Sequence, residues 1–291
     1  MENVKLIICP GFIKCGTTSL YAYLSSSPVV STAKGKELHY FSYGVRKTKL
    51  PEGLRNSVLL FEKDRSLAAY LSKFEPGEYF ADISPSYLGW PDFLSNLRDL
   101  DGVEPSFIVT TRDPLKRAIS SWKHAIRAGL ESEKFYDAFM RDFKTRDAYT
   151  LPLKKYYQLS DYKRYMSEIV KEYGERRLLH IDFERKKSPV DVVEALNSWE
   201  GNVLDVPIPM DGMEVKKNIG RTLSERQIVL SAVLKNQRLA GFLSSIIPNN
   251  QWFRDMLKVL LYRGEGNDID ISECEIAEVK KIMIGEGFYE W

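Results

Sequence analysis

The chain has 291 residues, 44% hydrophobic and 28% charged, with 42 lysines and arginines set against 40 aspartates and glutamates. That size and apolar content are enough for one α/β domain over 1–291, and a net charge of +2 excludes wholesale nucleic-acid binding, so any anion binding must be local. Three cysteines, Cys9, Cys15 and Cys274, with no CxxC spacing and no accompanying histidine cluster, exclude a disulfide framework and a zinc site and fit a reducing cytoplasm.

The apolar run VKLIIC is too short to span a membrane and lacks a signal-cleavage pattern. It leads into PGFIKCGTTSL and then a segment with Leu20, Tyr21 and Leu24 at helical spacing, so the start reads strand, loop, helix. DRSLAAYLSKF puts Leu67, Tyr70, Leu71 and Phe74 on one helical stripe. Strands are expected at EYFAD and SFIVTT, and a helix starts at Pro114, a favoured first-turn proline. SDYKRYMSEIVKEYG predicts a helix with Ser160 as N-cap, Gly174 as its stop, and Tyr162, Tyr165, Met166, Ile169, Val170 and Tyr173 on one face. RRLLHIDF reads as a further strand, TLSE at 222–225 as a capping box, and the rest of the chain as helical. No later segment approaches a membrane-spanning length without charges, and no internal repeat or low-complexity linker marks a domain boundary. The alternation predicts a three-layer, P-loop-like α/β fold: a mostly parallel sheet with helices on both faces, ligands at the carboxyl ends of the strands, and a helical C-terminal part.

Gly11 and Gly16 keep the spacing of a G-x-x-x-x-G-K-[ST] phosphate loop, and Thr18 holds its hydroxyl position. Thr17, however, stands where the lysine belongs, and the lysine, Lys14, lies inside the loop. A glycine bend ahead of a helix N-terminus aims backbone N–H groups at an anion. Lys14 adds a charge, and Thr17, Thr18 and Ser19 add hydroxyl donors. A second constellation follows SFIVTT, where Arg112 sits at the strand's carboxyl end beside the helix from Pro114. On that helix Leu115, Ala118, Ile119, Trp122 and Ile126 form the expected buried stripe, with Lys116, Ser120, Lys123 and Arg127 on a polar face.

GFIKCGTTSLYAYLSSSP, KELHYF and RDPLKRAISSW, in that order, resemble the sulfotransferase superfamily that uses 3′-phosphoadenosine 5′-phosphosulfate (PAPS), and within it the bacterial and heparan-sulfate-type branch. The resemblance covers the first half of the chain well and the rest loosely. It implies that the loop holding Lys14, Cys15, Gly16, Thr17, Thr18 and Ser19 binds the 5′-phosphosulfate. Arg112 and Ser120, eight positions on, would bind the 3′-phosphate, and Lys14 would face the bridging oxygen where negative charge grows as the sulfuryl group leaves. No metal is required, and SFIVTTRD ends in an arginine and an aspartate rather than in a magnesium-binding acid.

Glu37 occupies the place of the catalytic glutamate of the heparan-sulfate-type enzymes and is the implied base, with His39 as the alternative. If the stretch is a strand, positions 37 and 39 point to one side. In ADISPSYLGW the lysine that often precedes the family's Thr/Ser-Pro pair is replaced by Ile83, while Ser84 and Tyr87 are candidate pocket residues. EVKKNIGRTLSE resembles the family's basic glycine loop without its usual order, which makes Lys217, Gly220 and Arg221 cofactor candidates. Cys15 lies at a helix N-terminus, a setting that lowers a thiol pKa, but sulfuryl transfer needs no thiol.

The expected acceptor is a saccharide or glycolipid hydroxyl. The basic stretch 34–49, with Arg46 and Lys47, suits an anionic sugar, and Tyr40, Phe41, Tyr43 and Trp90 are candidates to stack on sugar rings. The competing readings are a P-loop small-molecule kinase or NTPase and a non-catalytic nucleotide-binding protein of the same fold.

Overall fold

The computed structural model describes residues 3–42, 64–186, 188–208 and 269–290. Five parallel strands form one sheet in the order β2-β3-β1-β4-β5: β1 (Val4–Cys9), β2 (Val30–Thr32), β3 (Tyr79–Ile83), β4 (Val103–Thr111) and β5 (Leu178–Asp182). The chain leaves β1, builds the β2–β3 side, and crosses back to place β4 against the other edge of β1. The carboxyl ends of β1 and β4 therefore flank the point where the strand order reverses, the usual place for a ligand in an open α/β sheet.

Period-2 alternation sorts the sheet's side chains into two cores. Leu6 and Ile8 of β1 and Phe107 and Val109 of β4 face one way, onto Tyr70, Phe74, Tyr162, Tyr165 and Ile169. These last belong to α2 (Leu67–Leu71) and α6 (Tyr162–Tyr173) or lie just past them. Ile7, Cys9 and Ile108 face the opposite way, onto Leu20 and Leu24 of α1 (Thr17–Ser25) and onto Val192, Val193 and Leu196. A third cluster lies to one side. It packs α4 (Pro114–Arg127) on α5 (Phe135–Thr145) and on the late helix α8 (Glu273–Gly285), through Trp122, Phe135, Phe139, Val279 and Met283. A short α3 (Phe93–Arg98) and α7 (Pro189–Asn197) complete the described helices. No helix among the described residues is long and apolar enough to cross a membrane.

Two local expectations are corrected. Asp161, whose carboxylate accepts from Arg164 N, caps α6. Ser160 sits instead in a 3₁₀ turn and accepts from Arg117 Nε at 2.8 Å. On α4 the fully buried stripe includes Arg117, whose guanidinium also donates to Lys155 O and Tyr156 O at 2.9 and 2.7 Å, whereas Ile119 is only partly covered. The expected TLSE capping box at 222–225 lies outside the described residues.

Candidate active site

The loop after β1 wraps through Gly11 to Gly16 and enters α1 with Gly16 as N-cap. Glycine is required at 16, because φ is +79° and a Cβ would meet the Phe183 ring at 3.0 Å. Cys15 N donates to Phe12 O, Ser19 N and Leu20 N close back on Gly16 O, and no side chain caps the helix. The first-turn amides of Thr17 and Thr18 are thus left without an acceptor from the cap, and they add to the positive end of the helix.

Lys14, Gly16, Thr17, Thr18 and Ser19 line a cavity of about 740 Å³, which they share with Lys36, Glu37, His39, Arg112, Ser120 and His124. Three segments supply these polar groups: the loop after β1, the stretch before a 3₁₀ turn at Tyr40–Ser42, and the junction of β4 with α4. Asp113 caps α4 by accepting from Lys116 N at 2.7 Å and Pro114 takes the first helical position, so Arg112 is fixed at the strand end. Its Nη1 lies 3.4 Å from Lys14 O.

The cations crowd one another. Burial first, then Arg127, Arg112 and Lys36, hold the Lys14 ammonium below its ordinary pKa, with Glu37 pulling the other way. Lys14 Nζ lies 3.4 Å from His124 Nδ1. Burial and the charges of Lys14 and Arg127 push His124 down to about 4, so it is neutral at pH 7 and accepts this hydrogen bond. Lys36 Nζ donates to Thr18 Oγ1 at 3.0 Å and lies 3.5 Å from Glu37 Oε1. An entering polyanion would relieve this like-charge crowding, which is the electrostatic signature of an anion site.

Glu37 and His39 reach the cavity by a route other than the expected strand. Both lie in the left-handed backbone region, at φ 70° and 56°, in irregular chain. Of the five described non-glycine residues in that region, Lys14, Glu37 and His39 line the cavity, so the backbone cost, about 1–3 kcal/mol each, is concentrated at the site. Glu37 Oε2 lies 3.8 Å from His39 Nε2, and His39 Nδ1 is 3.0 Å from Ser86 Oγ. The His39 ring is buried, which lowers its pKa to about 4, while the Glu37 side chain is 38% exposed.

Several sequence candidates fall elsewhere. Cys15 does not line the cavity: its thiol is buried, 3.6 Å from Tyr162 OH, and burial pushes it up to about 11, opposite to the lowering expected at a helix N-terminus. Ser84 and Tyr87 turn away from the cavity to donate to the fully buried Asp82, at 2.6 and 2.8 Å, and Tyr70 OH donates to the same carboxylate at 3.0 Å. Pro85 and Ser86 line the cavity in their place. Tyr40 and Phe41 are core residues, and Trp90 is buried beside a separate small cavity, so none of the three is placed to stack on a sugar. Tyr43, Arg46, Lys47, Lys217, Gly220 and Arg221 lie outside the described residues.

His124, Ile13, Pro152 and the leucines at 130, 151 and 153 also line it and were not singled out in the sequence, while Lys36 was read only as part of the basic stretch 34–49. His124 had a signal, since it stands four residues after Ser120 on one helical face. Among the described residues no cluster of three or more His, Cys, Asp or Glu is placed to hold a metal.

No protein-family model matches the chain, and no curated protein matches its sequence. Solved structures do. A sulfotransferase from Alicyclobacillus acidocaldarius is 25% identical, with 80% of this chain and 90% of that one covered and a TM-score of 0.57. The sulfotransferase domain of the Synechococcus PCC 7002 olefin synthase is 17% identical, with 70% and 75% covered and a TM-score of 0.40. Retinol dehydratase in complex with androsterone and the inactive cofactor PAP is 16% identical, with 100% and 82% covered and a TM-score of 0.43.

Proposed function

We propose that this member of the sulfotransferase superfamily transfers a sulfuryl group from PAPS to an acceptor hydroxyl, taking 1–291 as one transfer domain that works in the reducing cytoplasm. The observation that carries the reading is the convergence of Lys14, Arg112, Ser120 and Glu37 on one cavity at the carboxyl ends of β1 and β4. The donor set fits such a molecule: three cations, Lys14, Lys36 and Arg112, a helix start with uncapped amides, and hydroxyls at 17, 18, 19 and 120, matched to two separated anionic groups.

PAPS, when bound, supplies the activated sulfuryl group. Lys14 and residues 16–19 would hold its 5′ end, and Arg112 with Ser120 would hold its 3′-phosphate. Lys14 Nζ would stabilise the charge that develops on the leaving oxygen, as a positioned cation does without reorganising. A Glu37 carboxylate oxygen takes the acceptor's proton. Exposure favours Glu37 over His39, since the imidazole is buried and held by Ser86, while the carboxylate opens on the cavity. Neutral His39 flanks the carboxylate as its positioning partner. The resemblance in the sequence points to a sugar or glycolipid hydroxyl as acceptor.

Calorimetric titration with PAP, ADP, ATP and GTP, each with and without magnesium, tests this. Metal-independent PAP binding that weakens at least tenfold in Arg112→Ala is the expected result. Binding only of ATP or GTP with magnesium would make the chain an atypical NTPase, and PAP binding with no sulfated product from any acceptor would make it a non-catalytic binder.

A further inference from the structure

The cavity has two chemically distinct sides. Its charged and hydroxyl-bearing lining comes from Lys14, 16–19, Lys36, Glu37, His39, Ser86, Arg112, Ser120 and His124, with Ile13 among them, while Pro85, Leu130, Leu151, Pro152 and Leu153 supply an apolar wall. Three contacts fix the wall in place. His39 and Ser86, 3.0 Å apart, set Pro85 beside the Glu37–His39 pair. Gly89 lets Pro152 approach so closely that any Cβ at 89 would lie 2.5 Å from Pro152 Cβ. Ser121 Oγ donates to Leu153 O at 2.6 Å, clamping the segment to α4 next to Ser120.

The wall is not spare core. Leu151 is half-buried and belongs to none of the three core clusters, and Leu130 and Leu153 are only partly covered at the edge of the third. Apolar side chains left in contact with the space beside a base favour a ligand with apolar surface. At about 740 Å³ the cavity lies within the range of about 300–1,000 Å³ typical of small-molecule sites.

We infer that the acceptor carries its hydroxyl next to an apolar body, an aliphatic chain or fused rings that packs on Leu130, Leu151, Leu153 and the two prolines. This rests on the sulfuryl-transfer reading above. The shared chemistry has two sources, a lipid-linked sugar or a simple apolar alcohol; a free oligosaccharide lacks it.

The test begins with PAP binding to the full chain, which must be present. Sulfation from PAPS is then followed by mass spectrometry with methyl, butyl and octyl glucoside, with octanol, and with lactose. Along the glucosides the sugar hydroxyls stay constant while the apolar part grows, so KM is expected to fall about tenfold or more from butyl to octyl. Product from octanol would identify an apolar alcohol as sufficient, and product from octyl glucoside alone a lipid-linked sugar. Leu151→Asn, at a position outside the core clusters, is expected to raise KM for octyl glucoside or octanol about tenfold while PAP affinity stays within twofold. Lactose sulfated as well as octyl glucoside, a flat alkyl series, an unchanged KM in Leu151→Asn, or no product from any of these despite PAP binding overturns the inference. Absence of PAP binding instead removes the transfer reading on which it stands.

Discussion

Two neighbouring strand ends have been put to opposite uses. β1 and β3 run side by side in register, Ile8 against Asp82, and each is followed by a loop rich in hydroxyls. After β3 the polar groups satisfy one another: the Asp82 carboxylate, fully buried, accepts from Tyr70, Ser84 and Tyr87. After β1 a surplus of like charge remains: beyond its 3.4 Å contact with neutral His124 Nδ1, Lys14 sits among other cations with its pKa depressed by burial and by their charge. An aspartate late in the strand beside a glycine loop is where a magnesium-binding acid is sought, but here it is committed to three hydroxyls. A strand end whose polar groups balance internally builds scaffold, and one left with a surplus of like charge is available for a ligand.

The sharpest way to break this contrast is through the cavity side. Glu37→Gln is expected to lower turnover about 10²- to 10⁴-fold with PAP affinity nearly unchanged, and Lys14→Ala about 10²- to 10³-fold, both read from initial rates with a working acceptor. Near-normal turnover in either would remove that residue from the chemistry.

His39 links the two regions and gives the next largest effect. Its folded pKa of about 4 lies below the ordinary 6.5, so between these values the unfolded chain binds the proton more readily. Stability from this group is complete above pH 6.5 and lost as pH falls toward 4, by on the order of 3 kcal/mol. Urea unfolding at pH 7 and 4.5 should show the loss in the parent and a shallower slope in His39→Asn. An equal slope in both would place the titration elsewhere.

The smallest effect belongs to the scaffold side. Asp82→Asn should cost about 1–3 kcal/mol, because one oxygen's hydroxyl partners lose their acceptor, while turnover per folded molecule stays within a few fold. A collapse of turnover at unchanged stability would mean that Asp82 does more than support.

The sequence carried the parts whose signal is local. β1 is a near-continuous apolar run ending in glycine, and α4 opens with Asp113 and Pro114 as cap and first turn, so the loop, Arg112 and Ser120 were readable. β2 has three residues, too short for a period to show, whereas α2 was legible from its stripe of Leu67, Tyr70, Leu71 and Phe74. Tyr40 and Phe41 read as surface aromatics because their partners, Tyr70, Tyr87 and Phe93, come from segments far along the chain. The wall at 151–153 has no periodicity, and only its contacts with Gly89 and Ser121 place it in the site. Asp82 was passed over within a strand, since what sets its role is three hydroxyls brought in by the fold.

The packing of α8 on α4 and α5 has a consequence for how the molecule is made. Val279, Met283 and Phe288 cover the cluster that holds Trp122 and Phe139, and Glu275 and Glu286 receive hydrogen bonds from Tyr136 N and Tyr157 OH, 139 and 129 residues away. In order of synthesis the helix bearing Ser120 and His124 precedes α8 by more than a hundred residues, and part of its apolar face stays uncovered until α8 follows. Leu130 and Leu153, which edge that cluster and line the cavity, therefore reach their native packing only after α8 is made, and until then they add to exposed apolar surface.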